Sequence, residues 1–106
     1  MDYESIDIYR QRWQEGKVRI SAHALKRLLE REISLNDVEN CILLGEIIES
    51  YPNNYPSPSV LIFGFNMTGK VIHVVCGCSS HYIHLITAYY PTELVFMEDL
   101  KTRRNK

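Results

Sequence analysis

No run of apolar residues in this chain approaches the roughly 20 that carry a helix across a bilayer, so no membrane segment is expected. The opening stretch, Met1 to Gln14, lacks the basic start and apolar core of a secretion signal and carries Asp2, Glu4 and Asp7 instead. A cytoplasmic location is the expectation that follows. Cysteine is scarce: Cys41, Cys76 and Cys78 are the only three. An odd number without a secretion signal argues against a disulfide framework. Cys76 and Cys78 stand two apart on an expected strand and so share a face, but no second cysteine pair completes the about four ligands of a structural zinc site. Two readings stay open: a metal site completed by His81 and His84, or small buried core residues. Phosphate-cradling glycine loops are missing too, since Gly64, Gly69 and Gly77 are isolated, and there is no HExxH, GxSxG or suggestive carboxylate pair. No cofactor is expected. Repeats, linkers and low-complexity stretches are likewise absent.

What is present fits one domain over residues 1–106, with 45% apolar residues to build a single core. The net charge of −1 conceals an uneven distribution. Seven of the twelve Lys and Arg fall between Arg10 and Arg31, and four fall in the last six residues, Lys101, Arg103, Arg104 and Lys106. Only Lys70 lies between those groups, among Glu32, Asp37, Glu39, Glu46, Glu49, Glu93, Glu98 and Asp99. If the two basic ends meet in space they form a patch; otherwise they are a solvated helix face and a basic tail.

The apolar period is near 3.6 in the first half and near 2 in the second. Ile6, Tyr9 and Trp13, with Ile8 nearby, predict a helix over residues 3–15, closed by Gly16. Lys17 to Ile20 alternates, as a short strand or an extended entry would. Ser21 caps a second helix, 22–31, with Ala22, Leu25, Leu28 and Leu29 as its apolar stripe. Ser34 and Asp37 form a capping box for a third, 35–44, whose core stripe is Leu35, Val38, Cys41 and Ile42. Strands follow at 46–51, 60–66, 71–78 and 82–89, separated by a loop rich in Pro and Asn (52–58) and two short turns. Residues 93–106 hold one short helix or no regular structure. The fold class expected is α+β, with N-terminal helices packed on a four-stranded antiparallel sheet.

Several residues on this framework bear chemistry. His23, Lys26, Arg27, Glu30 and Arg31 share one face of the second helix. An imidazole exchanges protons near neutral pH and guanidinium groups grip phosphate bidentately, so the face suits a phosphodiester; it equally suits an ordinary exposed helix with Glu30 paired to a neighbouring cation. His73 interrupts an apolar strand and shares a face with Val71, Val75 and Gly77, as a satisfied core histidine or as a site residue. Strict alternation on the last strand sets Tyr82, His84, Ile86 and Tyr90 on one face and Ile83, Leu85, Thr87 and Tyr89 on the other. Tyr89, at the strand end, can position a phosphate, stack a base or seal a core.

The string from Ile20 to Arg27, then Glu30 to Ser34, Gly45 to Glu49, Tyr51-Pro52, Pro56 to Ser59, Ile72 to Val75 and Ile86 to Pro91 resembles the small bacterial proteins of domain-of-unknown-function family 4258, over about residues 17–91. The layout, with Gly16 to Arg19 before the second helix, also resembles the RelE-like and MqsR-like mRNA interferases, in which helices pack on a curved antiparallel sheet that carries the RNA site. What the resemblance implies is a toxin of a toxin–antitoxin pair, an endoribonuclease that cleaves single-stranded RNA without metal and is held by a zinc-finger antitoxin. His23 and His73 would move protons, Arg27 and Tyr89 would complete the catalytic set, and Lys26, Arg31, Lys101 and Arg103 would bind the RNA. RelE-like toxins are strongly basic and this chain is not, which weakens nonspecific RNA binding. The alternative is a non-catalytic interaction module, using a sheet edge or the Pro52–Pro58 loop.

Overall fold

A computed structural model describes residues 5–104; residues 3 and 4 of the expected first helix, and Lys106, lie outside them. Helix α1, Ile6–Gln14, starts at Ser5, whose hydroxyl accepts from the Asp7 N–H. Tyr9 is buried, and Ile6, Ile8 and Trp13 pack against the core, as the spacing requires. Arg12 is buried beside them: its guanidinium donates to Cys78 Sγ at 3.0 Å and to the carbonyls of Ser79 and, at 2.9 Å, Ser80. Arg10 donates to the carbonyls of Ile42 and Gly45. Two cations of the basic first third thus serve as internal clamps.

Strand β1, Val18–Ile20, leads into α2, Ala22–Glu30, capped by the Ser21 hydroxyl on the Ala24 N–H. Only Ala24 and Leu28 of α2 are buried, while Ala22, Leu25 and Leu29 are exposed, which corrects the expected stripe. The helix packs on the sheet's last strand near one edge, so its inward face is narrower than the leucine pattern implies. Glu32 takes a left-handed φ of 57°, and the Ile33 N–H returns to the Leu28 carbonyl in a Schellman ending that buries Ile33. Helix α3, Leu35–Leu44, has the expected capping box of Ser34 and Asp37; Val38, Cys41 and Ile42 are buried, but Leu35 is exposed.

Strands β2 (Glu46–Tyr51), β3 (Ser59–Phe65), β4 (Val71–Cys78) and β5 (Ile83–Tyr89) form the expected antiparallel meander. The sheet nonetheless has five strands, ordered β1-β5-β4-β3-β2, and is mixed, because β1 pairs with β5 in parallel. The four-stranded antiparallel expectation is corrected by that one edge strand. Val18 and Ile20 lean on the core, and the Ile83 N–H donates to the Lys17 carbonyl.

All three helices lie on the face that carries Val60, Ile62, Ile72, Val74, Cys76, Cys78, Ile83, Leu85 and Ala88. Residues 92–104 cross the opposite face. They are neither a helix nor structureless: a single bridge joins Phe96 to Arg103, and Asp99 accepts from Lys101, Thr102 N–H and the Thr102 hydroxyl. Lys101 pairs with Glu46 at 3.2 Å and Arg103 with Glu49 at 2.7 Å, so β2 carboxylates take up two tail cations. Among the described residues no helix is long and apolar enough to cross a membrane.

Candidate functional site

A register shift in the β4–β5 ladder, between Val75 and Cys76, decides which side chains meet. On one side of it His73 faces Tyr89 and Val75 faces Thr87; on the other, Cys76 faces Leu85 and Gly77 faces His84. The extra residue in β5 breaks strict alternation. His84, Thr87 and Tyr89 therefore all occupy the face turned away from the helices, whereas alternation separates His84 from the other two. Cys76 and Cys78 face the helices, are buried, and have thiols pushed up by desolvation. They and His84 lie on opposite faces and do not converge on one site. Among the described residues no group of three or more His, Cys, Asp or Glu is gathered as a metal site needs.

Where β1 ends and α2 begins, a cleft of about 490 Å³ opens between the β1–β5 edge and the Pro-rich loop. Its lining includes Arg19, Ser21, His23, Tyr55, Ser57 and His84. Arg19 stands opposite His84 in the parallel ladder, with its guanidinium 4.0 Å over the Tyr82 ring. His23 is exposed in the first turn of α2, and His84 is half-buried on β5. The N-terminus of α2, at Ser21 and His23, brings the positive end of the helix dipole to the same opening. Two imidazoles, a guanidinium and a helix N-terminus make a place for an anion whose chemistry involves proton transfer.

His73 lies elsewhere. It is fully buried, with its ring edge-on to Phe96 (centroids 4.6 Å apart) and Tyr89 (5.3 Å). Nε2 sits 2.6 Å from the Leu100 carbonyl, which can only accept, so Nε2 carries the proton. Nδ1, 3.2 Å away, then accepts from the Tyr89 hydroxyl. Both nitrogens are occupied, and His73 pins the tail to the sheet. Burial holds its pKa below the usual 6.5, against the opposing pull of the Leu100 carbonyl and Glu49. The unfolded chain takes up this proton more readily than the folded one, so the stabilisation is complete above about pH 6.5 and is lost as pH falls through the lower folded value. Urea midpoints measured from about pH 7.5 to about pH 5.5 should fall for the native chain, and His73→Gln should remove that part of the slope; parallel curves would refute the assignment.

The structure does not bring His23 and His73 to one cleft. Lys26 and Arg27 are exposed on the flank of α2 beyond His23. Arg31 closes the β5 edge that the short β1 leaves open, donating to Thr87 Oγ1 at 3.0 Å and the Ala88 carbonyl at 2.9 Å. Tyr89 and Arg103 share a smaller depression of about 180 Å³ with Phe96. Burial raises the Tyr89 hydroxyl pKa, Arg103 lowers it, Glu49 raises it and Arg31 lowers it. Lys101 lies 4.6 Å over the Phe63 ring while it pairs with Glu46. Of the eight expected site residues only His23 lines the larger cleft. Sequence put His84 forward only as a metal ligand, and Tyr55 only as part of the Pro52–Pro58 loop; Arg19 was not singled out, its one signal being the alternation of Lys17 to Ile20, which puts it opposite the inward Val18 and Ile20.

No curated protein and no solved structure matches the chain. Residues 20–90 match the family described as Domain of unknown function (DUF4258), and the chain belongs to that family.

Proposed function

We propose that this protein is an endoribonuclease that cleaves single-stranded RNA without a metal ion and serves as the toxin of a toxin–antitoxin pair, with its site at the cleft of His23, His84 and Arg19. The observation that carries this is the convergence of two imidazoles from different elements on one cleft beside an arginine and a helix N-terminus. One neutral imidazole takes the proton of the ribose 2′-OH as its oxygen attacks the neighbouring phosphorus. The P–O5′ bond breaks, and the other imidazole, protonated, delivers a proton to the leaving 5′-oxygen. Arg19 and the α2 N-terminus offset the charge that builds on the phosphate oxygens. The products are a 2′,3′-cyclic phosphate and a 5′-hydroxyl.

In this reading His84 takes the proton-transfer role that the sequence assigned to His73, because His73 is buried with both nitrogens engaged. Exposed Lys26 and Arg27 guide the RNA backbone along α2, and a likeness to the RelE/MqsR layout belongs to the same proposal. A zinc-finger antitoxin would restrain the activity. Strand addition by a partner is the weaker alternative. The β2 edge carries a bulge between Ile47 and Glu49 and the ion-paired Glu46 and Glu49, both of which discourage pairing; the open stretch of β5 is closed by Arg31.

The test is incubation of the purified protein with end-labelled single-stranded RNA in EDTA. Fragments ending in 2′,3′-cyclic phosphate, with growth arrest on induced expression, are expected. Products ending in 3′-hydroxyl, or no cleavage of either free RNA or RNA on translating ribosomes, would sink the proposal.

A further inference from the structure

The most exposed large hydrophobic residue among the described residues is an aromatic one, Tyr55, at 93%. An aromatic ring buries about 150–250 Å² where a fold uses it; this fold covers little of Tyr55. The loop that carries the ring is nevertheless braced. Asn54 donates from its backbone to the Tyr51 carbonyl at 3.2 Å and from its side chain to Ser59 Oγ at 2.8 Å. The Pro58 carbonyl accepts from the Cys78 N–H at 3.0 Å, and Pro56 and Pro58 restrict the backbone between these anchors. A free ring is thus held in place at the lip of the cleft that contains His23, His84 and Arg19.

Resting on the RNA reading of that cleft, we infer that Tyr55 is the stacking platform for one unpaired nucleobase, on the nucleotide adjoining the phosphate held by His23, His84 and Arg19. Every base offers a flat π-face, and stacking on an exposed aromatic is the common way single strands are gripped without sequence readout. At about 490 Å³ the cleft is in the range of small-ligand sites, which accommodates one extruded nucleotide. A base on Tyr55 has left its helix, so the platform selects single strands over duplex.

Binding can be read without cleavage. The probes are a short 2′-deoxy oligonucleotide, which lacks the attacking hydroxyl, and the same backbone made abasic throughout, followed by fluorescence anisotropy. Tyr55→Ala should weaken binding of the intact strand by roughly 5- to 150-fold and leave the abasic strand unchanged, and Tyr55→Trp should retain binding. Equal binding by native and Tyr55→Ala chains, or equal loss on both strands, overturns the platform while leaving the cleft's chemistry standing. If the native chain prefers neither strand and also fails to cleave RNA, the nuclease reading itself falls. The ring touches little of the fold, so unchanged melting of Tyr55→Ala separates these outcomes from misfolding.

Discussion

His84→Ala is expected to lose about 10²- to 10⁴-fold in RNA cleavage, the usual range for removing a general acid or base, with little change in melting temperature. The side chain is half-buried on the sheet face away from the helices and lies outside the apolar cluster. His23→Ala should fall by a similar factor, and the double variant should lose much less than the product of the two, because the residues act as one unit. His73→Gln, by contrast, should retain cleavage under conditions where it is folded. Retained cleavage in His84→Ala beside a dead but folded His73→Gln would reverse the assignment of roles.

Gly64→Ala is expected to destabilise the fold by about 3 kcal/mol, the upper end for overpacking a close contact, and to lower the melting temperature by roughly 10–20 °C. A Cβ at Gly64 would stand 2.8 Å from Cys41 Sγ and 2.9 Å from both the Cys41 Cα and its carbonyl oxygen. Two of these three atoms are backbone, so no rotamer change relieves the clash and α3 must lift from β3. Against a typical stability of about 5–15 kcal/mol this is a large share. Gly69→Ala is the control. No atom lies within 4 Å of its added Cβ, but φ is +88°, so only the left-handed cost of about 1–2 kcal/mol applies. Equal melting of the two variants would show that the α3–β3 approach is looser than described.

Much of the local structure was legible because it is encoded locally. The capping box at Ser34 and Asp37, the cap at Ser21 and the loop of three prolines act over three or four residues, and each appears where the residues place it. The meander was legible for the same reason: four alternating segments with short joins pair antiparallel. The site was far less legible. On α2, His23 and Lys26 share a helical face in sequence, but only His23 reaches the cleft, because the cleft opens at the helix start. His84 was hidden by one bulge, since register depends on the partner strand and a single extra residue reverses every later side chain. His73 stayed open between a core histidine and a site residue, because whether a polar residue in a strand meets solvent depends on what crosses that face, here Phe96 and Leu100 from the end of the chain.

The sequence by itself determined the α+β composition, the starts of the second and third helices, the strand meander and family membership, because periodicity, caps and turn chemistry are short-range properties. Only the tertiary structure decided that β1 joins β5 in parallel, that Arg12 and Arg31 serve as clamps, that the tail buries His73, and that Arg19, His23, His84 and Tyr55 share a cleft. Each of those facts joins segments tens of residues apart. Such contacts form because the collapsed chain must cover apolar faces and satisfy buried polar groups, and no local pattern records which distant segment will do so.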